Sequence, residues 1–165
     1  MDAHVVGRRD AAENLFPEAR RNRYEKGQKN VLRRQRGIFD FREIDSVKKV
    51  LTTDHEQTKV CLGIDQNFCL NDTVTSKKYA LAAGIVDPIT NRIMEVLTDF
   101  PGLHVYAGNH LGGNDQKGTT PYAQYGGICF EAQMYPNAIN MPEFESPVIK
   151  AGEVKYHACG YRFNA

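Results

Sequence analysis

Apolar and polar positions alternate in short runs along most of this chain, and turn-forming residues separate the runs. Ile38-Phe39-Asp40-Phe41-Arg42 has the period of a short strand. Read as a strand, Val60 to Leu70 places Val60, Leu62, Ile64, Phe68 and Leu70 on one face. Asp65 and Asn67 then point to the other face, with Gly63 leaving space beside them. Tyr79 to Val86 and Arg92 to Phe100 predict two further strands, joined through Asp87-Pro88-Ile89-Thr90-Asn91, a run with hairpin-turn chemistry. Leu103 to Asn109 alternates again and puts His104 and Tyr106 on a common face. The glycine-rich stretch from His110 to Gln124 is too long for a tight turn and is a candidate binding or lid loop. A strand around Glu131 follows, then the Pro142–Pro147 segment, a turn at Gly152 and a closing strand from Val154 to Phe163. Between the first two runs, Glu43 to Glu56 reads as a loop or a single helical turn. Short strands at regular spacing, with almost no helical period, predict an all-β chain: an antiparallel β-sandwich or barrel.

Composition narrows this picture little. The 165 residues are 41% hydrophobic and 25% charged, as in ordinary globular chains, and suffice for one core. No apolar run approaches the ~20 residues that cross a bilayer, and Met1-Asp2-Ala3-His4 opens no apolar leader segment, so a cytoplasmic protein with no membrane partner is expected. Cys61, Cys69, Cys129 and Cys159 are scattered without C-x-x-C spacing and read as reduced, buried thiols, with no zinc site. Asn71-Asp72-Thr73 fits a glycosylation sequon, which matters only in a secreted chain.

Charge divides the chain in two. Residues 1–36 carry ten Lys/Arg and five Asp/Glu, a balance of +5, and the remaining eleven basic and fifteen acidic residues give −4, which together make the net +1. The arginine runs at Arg20–Arg23 and Arg33–Arg36 read as a solvated face or loose tail, and no nucleic-acid partner is assigned to them. We divide the chain into a basic N-terminal segment, 1–36, and a β-domain, 37–165.

Glu131 is the residue with the most chemical promise. It leaves the apolar run Ile128-Cys129-Phe130 ahead of a turn marked by Pro136, Asn137 and Asn140. A carboxylate so placed is either a strand-end charge facing water or a group held in a cleft for proton transfer. Asp65 is either an edge carboxylate or a ligand anchor, and His104 either a half-buried core histidine or a site residue. His55, His110 and His157 lack metal-ligand spacing and fit surface or loop roles.

Six ordered motifs carry a resemblance. They are Ile38–Arg42, Gly63-Ile64-Asp65-Gln66-Asn67-Phe68, Leu103–Asn109, Gly127–Gln133, Pro136-Asn137-Ala138-Ile139-Asn140, and the Pro-rich segment running through Ala151-Gly152-Glu153 to Tyr156-His157. From about Gly37 onward the chain resembles the C-terminal half of the galactose mutarotase (aldose 1-epimerase) family. The resemblance implies a large antiparallel β-sandwich, the supersandwich of that family, present here in part, with a sugar in an open cleft on one sheet. It also implies interconversion of the α and β anomers of aldoses such as galactose and glucose, without metal or cofactor.

By that resemblance Glu131 is the catalytic base that takes the C1 hydroxyl proton while a histidine protonates the ring oxygen. Asp65 corresponds to the sugar-binding aspartate. His104 stands where many members carry a sugar-contacting glutamine, and Gln66 where a histidine is common. The family's histidine acid, second histidine and arginine belong to motifs without a counterpart in residues 1–36, where His4 is the single histidine. Half a sandwich leaves open sheet edges through which the chain could self-associate. A non-catalytic carbohydrate-binding relative is the alternative reading. Epimerisation of hexose 6-phosphates ranks lower, since residues 37–165 hold only Arg42, Arg92 and Arg162 to meet a phosphate.

Overall fold

The computed structural model describes the backbone of residues 4–6 and the full residues 37–41, 45–70 and 79–164. The arginine runs and the sequon therefore lie outside the described residues. In chain order the elements are β1 (His4–Val6), β2 (Asp45–Ser46), α1 (Lys48–Thr52), α2 (Glu56–Cys61), β3 (Asp65–Cys69), β4 (Ala80–Val86) and β5 (Ile93–Thr98). They continue with β6 (Gly102–Tyr106), β7 (Gln116–Lys117), β8 (Thr120–Pro121), β9 (Cys129–Gln133), a 3-10 turn at Ala138–Asn140, and β10 (Cys159–Asn164).

Two antiparallel sheets and a small hairpin result. One sheet has the order β10-β5-β4-β1-β2, the second β3-β6-β9, and β7-β8 is the two-stranded hairpin inside the glycine-rich loop. The two larger sheets share one apolar core. Ala82, Ala83 and Val96 of the five-stranded sheet cluster with Phe68, Leu103, Val105 and Phe130 of the three-stranded one. Burying side chains from both inner faces is what holds two such sheets together. This is the antiparallel, core-sharing arrangement expected from the alternating runs.

The hairpin between β4 and β5 forms as its residue types require. Asp87 accepts hydrogen bonds from the Ile89 amide (3.0 Å) and the Thr90 hydroxyl (2.6 Å), and Asn91 takes the left-handed φ of 57° that Asn tolerates. The Thr90 hydroxyl, and then the Ile89 amide, hold the Asp87 carboxyl below the ordinary aspartate range.

Several expectations need correction. Residues 37–41 form a turn instead of a strand, though Phe39 and Phe41 are buried, so alternation here reports burial without pairing. The Val60–Leu70 strand begins only at Asp65. Val60 ends up 59% exposed on α2, and Leu62, 49% exposed, closes that helix in a left-handed conformation (φ 57°). The helix wins because its ends are capped: His55 Nδ1 accepts from the Gln57 amide, Glu56 sits in the first turn, and the Leu62 amide donates to the Thr58 carbonyl. The closing strand spans only Cys159–Asn164, since residues before it run unpaired with β5 except where the Ala158 carbonyl accepts from the Thr98 hydroxyl and the Asp99 amide.

The cysteines divide as well. Cys61 and Cys69 are buried thiols, but Cys129 and Cys159 are exposed. Cys129 alternates with the core residue Phe130 and so must face outward, while Cys159 opens a strand with a single neighbour.

Ile64, 1% exposed, stands directly before β3 and anchors it in the core. Replacing Ile64 with Ala should cost about 2–5 kcal/mol in denaturant unfolding. The same change at Ile139, 65% exposed, should stay within about 0.5 kcal/mol.

Candidate functional site

In the three-stranded sheet, alternation divides the side chains into two layers of opposite chemistry. Gln66, Phe68, Leu103, Val105, Phe130 and Ala132 face the core side. The second layer is set by the register, and on β3 its lower part is itself buried, with Asn67 4% and Cys69 1% exposed. Tyr106 pairs with Asp65 on one side and Cys129 on the other, His104 with Asn67 and Glu131, and Gly102 with Cys69 and Gln133. Nine positions thus form three rows across three strands, with His104 at the centre. Directly opposed positions in such a sheet hold their Cβ atoms ~4.5–5.5 Å apart.

The three residues singled out by sequence therefore come together. Asp65, His104 and Glu131 lie on the same face of adjacent strands. His104 Nε2 and Asp65 Oδ1 are 2.8 Å apart, a diagonal bond between rows, with the two side chains 24% and 34% exposed. Glu131 is exposed beside them. His104 is thus a residue of the polar face, and the alternative of a core histidine is set aside by the register.

Four neighbours complete the face, and sequence reading gave them no role. Gln133 Nε2 donates to Asn67 Oδ1 at 3.3 Å, so the two amides hold each other along the lower row. Gly102 makes this arrangement possible: a Cβ there would stand 2.8 Å from Asn67 Oδ1. Tyr106 accepts the His110 amide on its hydroxyl at 2.9 Å, and the two rings stack with centroids 6.4 Å apart. The period-two spacing of 65/67, 102/104/106 and 131/133 was the available signal.

The thiol of Cys129 is pushed above the ordinary cysteine range, first by burial and then by the charge of Glu131. Tyr161 from β10 reaches across to the same region. Its hydroxyl donates to the Phe130 carbonyl at 2.8 Å, which ties the outer edge of β9 to the other sheet. Burial, the neighbouring Cys159 and the Glu131 charge push that phenol up in turn.

A polar knot fixes how the three strands enter this face. Asn109 is 1% exposed, and its Nδ2 donates to the carbonyls of Cys61 and Ile64, each at 2.8 Å. Tyr125 donates its hydroxyl to the Leu62 carbonyl at 2.7 Å, and Gln124 Nε2 donates to the Asn109 carbonyl at 2.8 Å. The exit of β6, the entry of β3 and the approach to β9 are thereby joined.

Antiparallel sheets around one core, with an outward face gathering carboxylates, an imidazole and amides, define an all-β protein suited to binding a polar ligand. The chain belongs to the aldose 1-epimerase family, whose model matches residues 28–162. It is 34% identical over 127 residues to the galactose mutarotase of Rattus norvegicus, covering 76% of this chain and 35% of that protein. It is 33% identical over 129 residues to the aldose 1-epimerase of Escherichia coli, covering 77% and 36%. Among solved structures it is similar in fold to an aldose epimerase homologue from C. elegans, with TM-score 0.67, 17% identity, and coverage of 99% of this chain and 46% of that one. The galactose 1-epimerase of Lactobacillus acidophilus gives TM-score 0.59 at 25% identity, covering 98% and 42%. The chain spans about a third of the length of the curated relatives it matches.

Two outcomes are expected of this geometry. Asn109→Ala removes one hydrogen bond from each of the Cys61 and Ile64 carbonyls, the latter keeping the Ala107 amide, and should lower stability by about 1–3 kcal/mol in total in denaturant melts. Glu131→Gln removes the charge that helps hold the Cys129 thiol up, so more thiolate forms at a given pH and alkylation of Cys129 should speed up. An unchanged alkylation rate would place residue 131 out of electrostatic reach of residue 129.

Proposed function

We propose that this chain carries the substrate anchor and the catalytic base of an aldose 1-epimerase, acting on hexoses such as galactose and glucose. The observation that carries the reading is the shared outward face of Asp65, His104 and Glu131 in a chain of this family. A pyranose is a flat polyol with hydroxyls around its rim. A sheet face bearing carboxylates and amides offers acceptors and donors to several hydroxyls at once, and bonds to an ionised acceptor are the stronger kind.

In this reading Asp65 accepts from ring hydroxyls, with His104 holding its other oxygen in place. Glu131, exposed at the middle of β9, takes the proton from the anomeric hydroxyl. As that proton leaves, the bond from C1 to the ring oxygen breaks and the C1 carbonyl forms. Rotation about C1–C2 and re-closure on the other carbonyl face give the other anomer. No metal or cofactor enters the scheme, since the hemiacetal needs only one proton removed and one supplied.

The second reading is a carbohydrate-binding relative that keeps the anchor without turnover. Polarimetry of freshly dissolved α-galactose separates the two. The chain should speed equilibration above the spontaneous rate, and Glu131→Gln should cut that enhancement by about 10²–10⁴-fold, the usual worth of a positioned base. Galactose binding without any enhancement would support the binding-module reading.

A further inference from the structure

We propose that Tyr161 is a positioning residue for the base: its hydroxyl holds the peptide group from which Glu131 projects, and so sets the aim of that carboxylate. This inference rests on the aldose 1-epimerase reading and adds to it a residue from the other sheet.

The Tyr161 hydroxyl donates to the Phe130 carbonyl at 2.8 Å. That carbonyl belongs to the peptide unit whose nitrogen is the Glu131 amide. A trans peptide is a rigid plane whose C=O and N–H point opposite ways. Tyr161 therefore fixes the outer end of the plane, while the inner end lies toward β6, where Glu131 stands opposite His104. A plane fixed at both ends does not rock about the strand axis, and the Cα–Cβ bond of Glu131 is steadied with it.

Glu131 needs such support more than its neighbours on the face. β9 is an edge strand, with β6 as its one ladder partner among the described residues. Asp65 is tied to His104 at 2.8 Å, and Gln133 to Asn67 at 3.3 Å. Among the described residues no hydrogen bond or ion pair holds the exposed Glu131 side chain itself. Its direction is thus set from the backbone. A working base must meet its proton within hydrogen-bond reach, and a misplacement of ~1 Å costs up to about 10²-fold in rate.

Tyr161 has the fixity that the task requires. It pairs directly with Val96, which is fully buried, in a ladder that runs the six residues of β10. The Cys159 thiol hydrogen-bonds the phenol. Burial, and then Cys159, push the phenol above the ordinary tyrosine range, so the hydroxyl keeps its proton and stays a donor across neutral pH. The charges of Glu131 and Cys129 act in the same direction, as expected of a phenol standing beside the strand it braces.

The test is Tyr161→Phe, which removes the hydroxyl and keeps the ring. Polarimetric kinetics should show kcat reduced about 10-fold. KM should stay close to the wild-type value, because the Asp65 anchor lies on β3, with β6 between it and β9. Amide hydrogen exchange should quicken in the peptide covering β9 and stay as it was in β5. An unchanged kcat overturns the proposal, and so does exchange that quickens throughout both sheets, which would make the hydroxyl a general brace. A variant that fails to fold by circular dichroism overturns it as well, since the bond would then be holding the sandwich and not the base. Each of these outcomes leaves the family activity standing if the wild-type chain accelerates equilibration. A wild-type chain without acceleration fails the broader reading and takes this proposal with it.

Discussion

The two hydrogen bonds from the Asn109 amide to the Cys61 and Ile64 carbonyls are the constraint on which the rest of the site depends. Between those carbonyls the backbone must leave a helix and enter a strand within three residues. It does so through two consecutive residues at positive φ, Leu62 at 57° and Gly63 at 141°. Only glycine fits the second: a Cβ there would stand 2.6 Å from Asn109 Oδ1 and 2.8 Å from Leu51 Cδ2. The turn exposes carbonyls in the interior, and a buried carbonyl without a donor costs more than the net worth of a typical hydrogen bond. One asparagine side chain answers two of them, and Tyr125 meets the Leu62 carbonyl at the exposed side of the same turn.

That local solution has a long-range effect because strand register is all-or-none. A slip of one residue in β3 would send Asp65 into the core and Phe68 to solvent. The knot places the first residue of β3 opposite Tyr106, and the Ala107 amide extends the ladder by donating to the Ile64 carbonyl at 3.0 Å. Apolar burial on one layer, supplied by Phe68, Leu103, Val105 and Phe130, then enforces the same register independently. Polar chemistry on one face and packing on the other are consequences of a single alignment.

Much of this was legible from residue type. The β4–β5 hairpin, the β6 alternation and the common face of Asp65 with Asn67 all follow from period-two patterning and turn chemistry, since nothing long-range competes there. The region from Val60 to Ile64 was not legible. Its apolar spacing suits a strand, but capping by His55 and the Asn109 clamp, which lies more than forty residues away in sequence, favour helix and turn. Phe39 and Phe41 alternate for burial and not for pairing. At the candidate site, Asp65, His104 and Glu131 could be named from motifs. Their mutual positions could not, because those depend on which strands become neighbours. Gln133 and Gly102 join the face only once that pairing is known.

The same sheets treat their edges unequally, and the difference bears on the site. β9 has one ladder neighbour, yet its Phe130 carbonyl is met by the Tyr161 hydroxyl, so the strand bearing Glu131 is held on both sides. β10, which supplies that tyrosine, has β5 as its one ladder neighbour among the described residues, with Arg162 paired to Glu95 on its outer face. The Arg162 guanidinium keeps the Glu95 carboxyl below the ordinary glutamate range, so this link is charged near neutrality and weakens as pH falls and Glu95 takes up a proton. Phe163, at 72% exposure, and Tyr161, at 50%, nonetheless remain open on the side that faces inward elsewhere in the sheet. An apolar strand face without cover is a surface that favours contact. Tyr161 thus belongs both to the brace on the backbone beside the proposed base and to an exposed apolar stretch of β10.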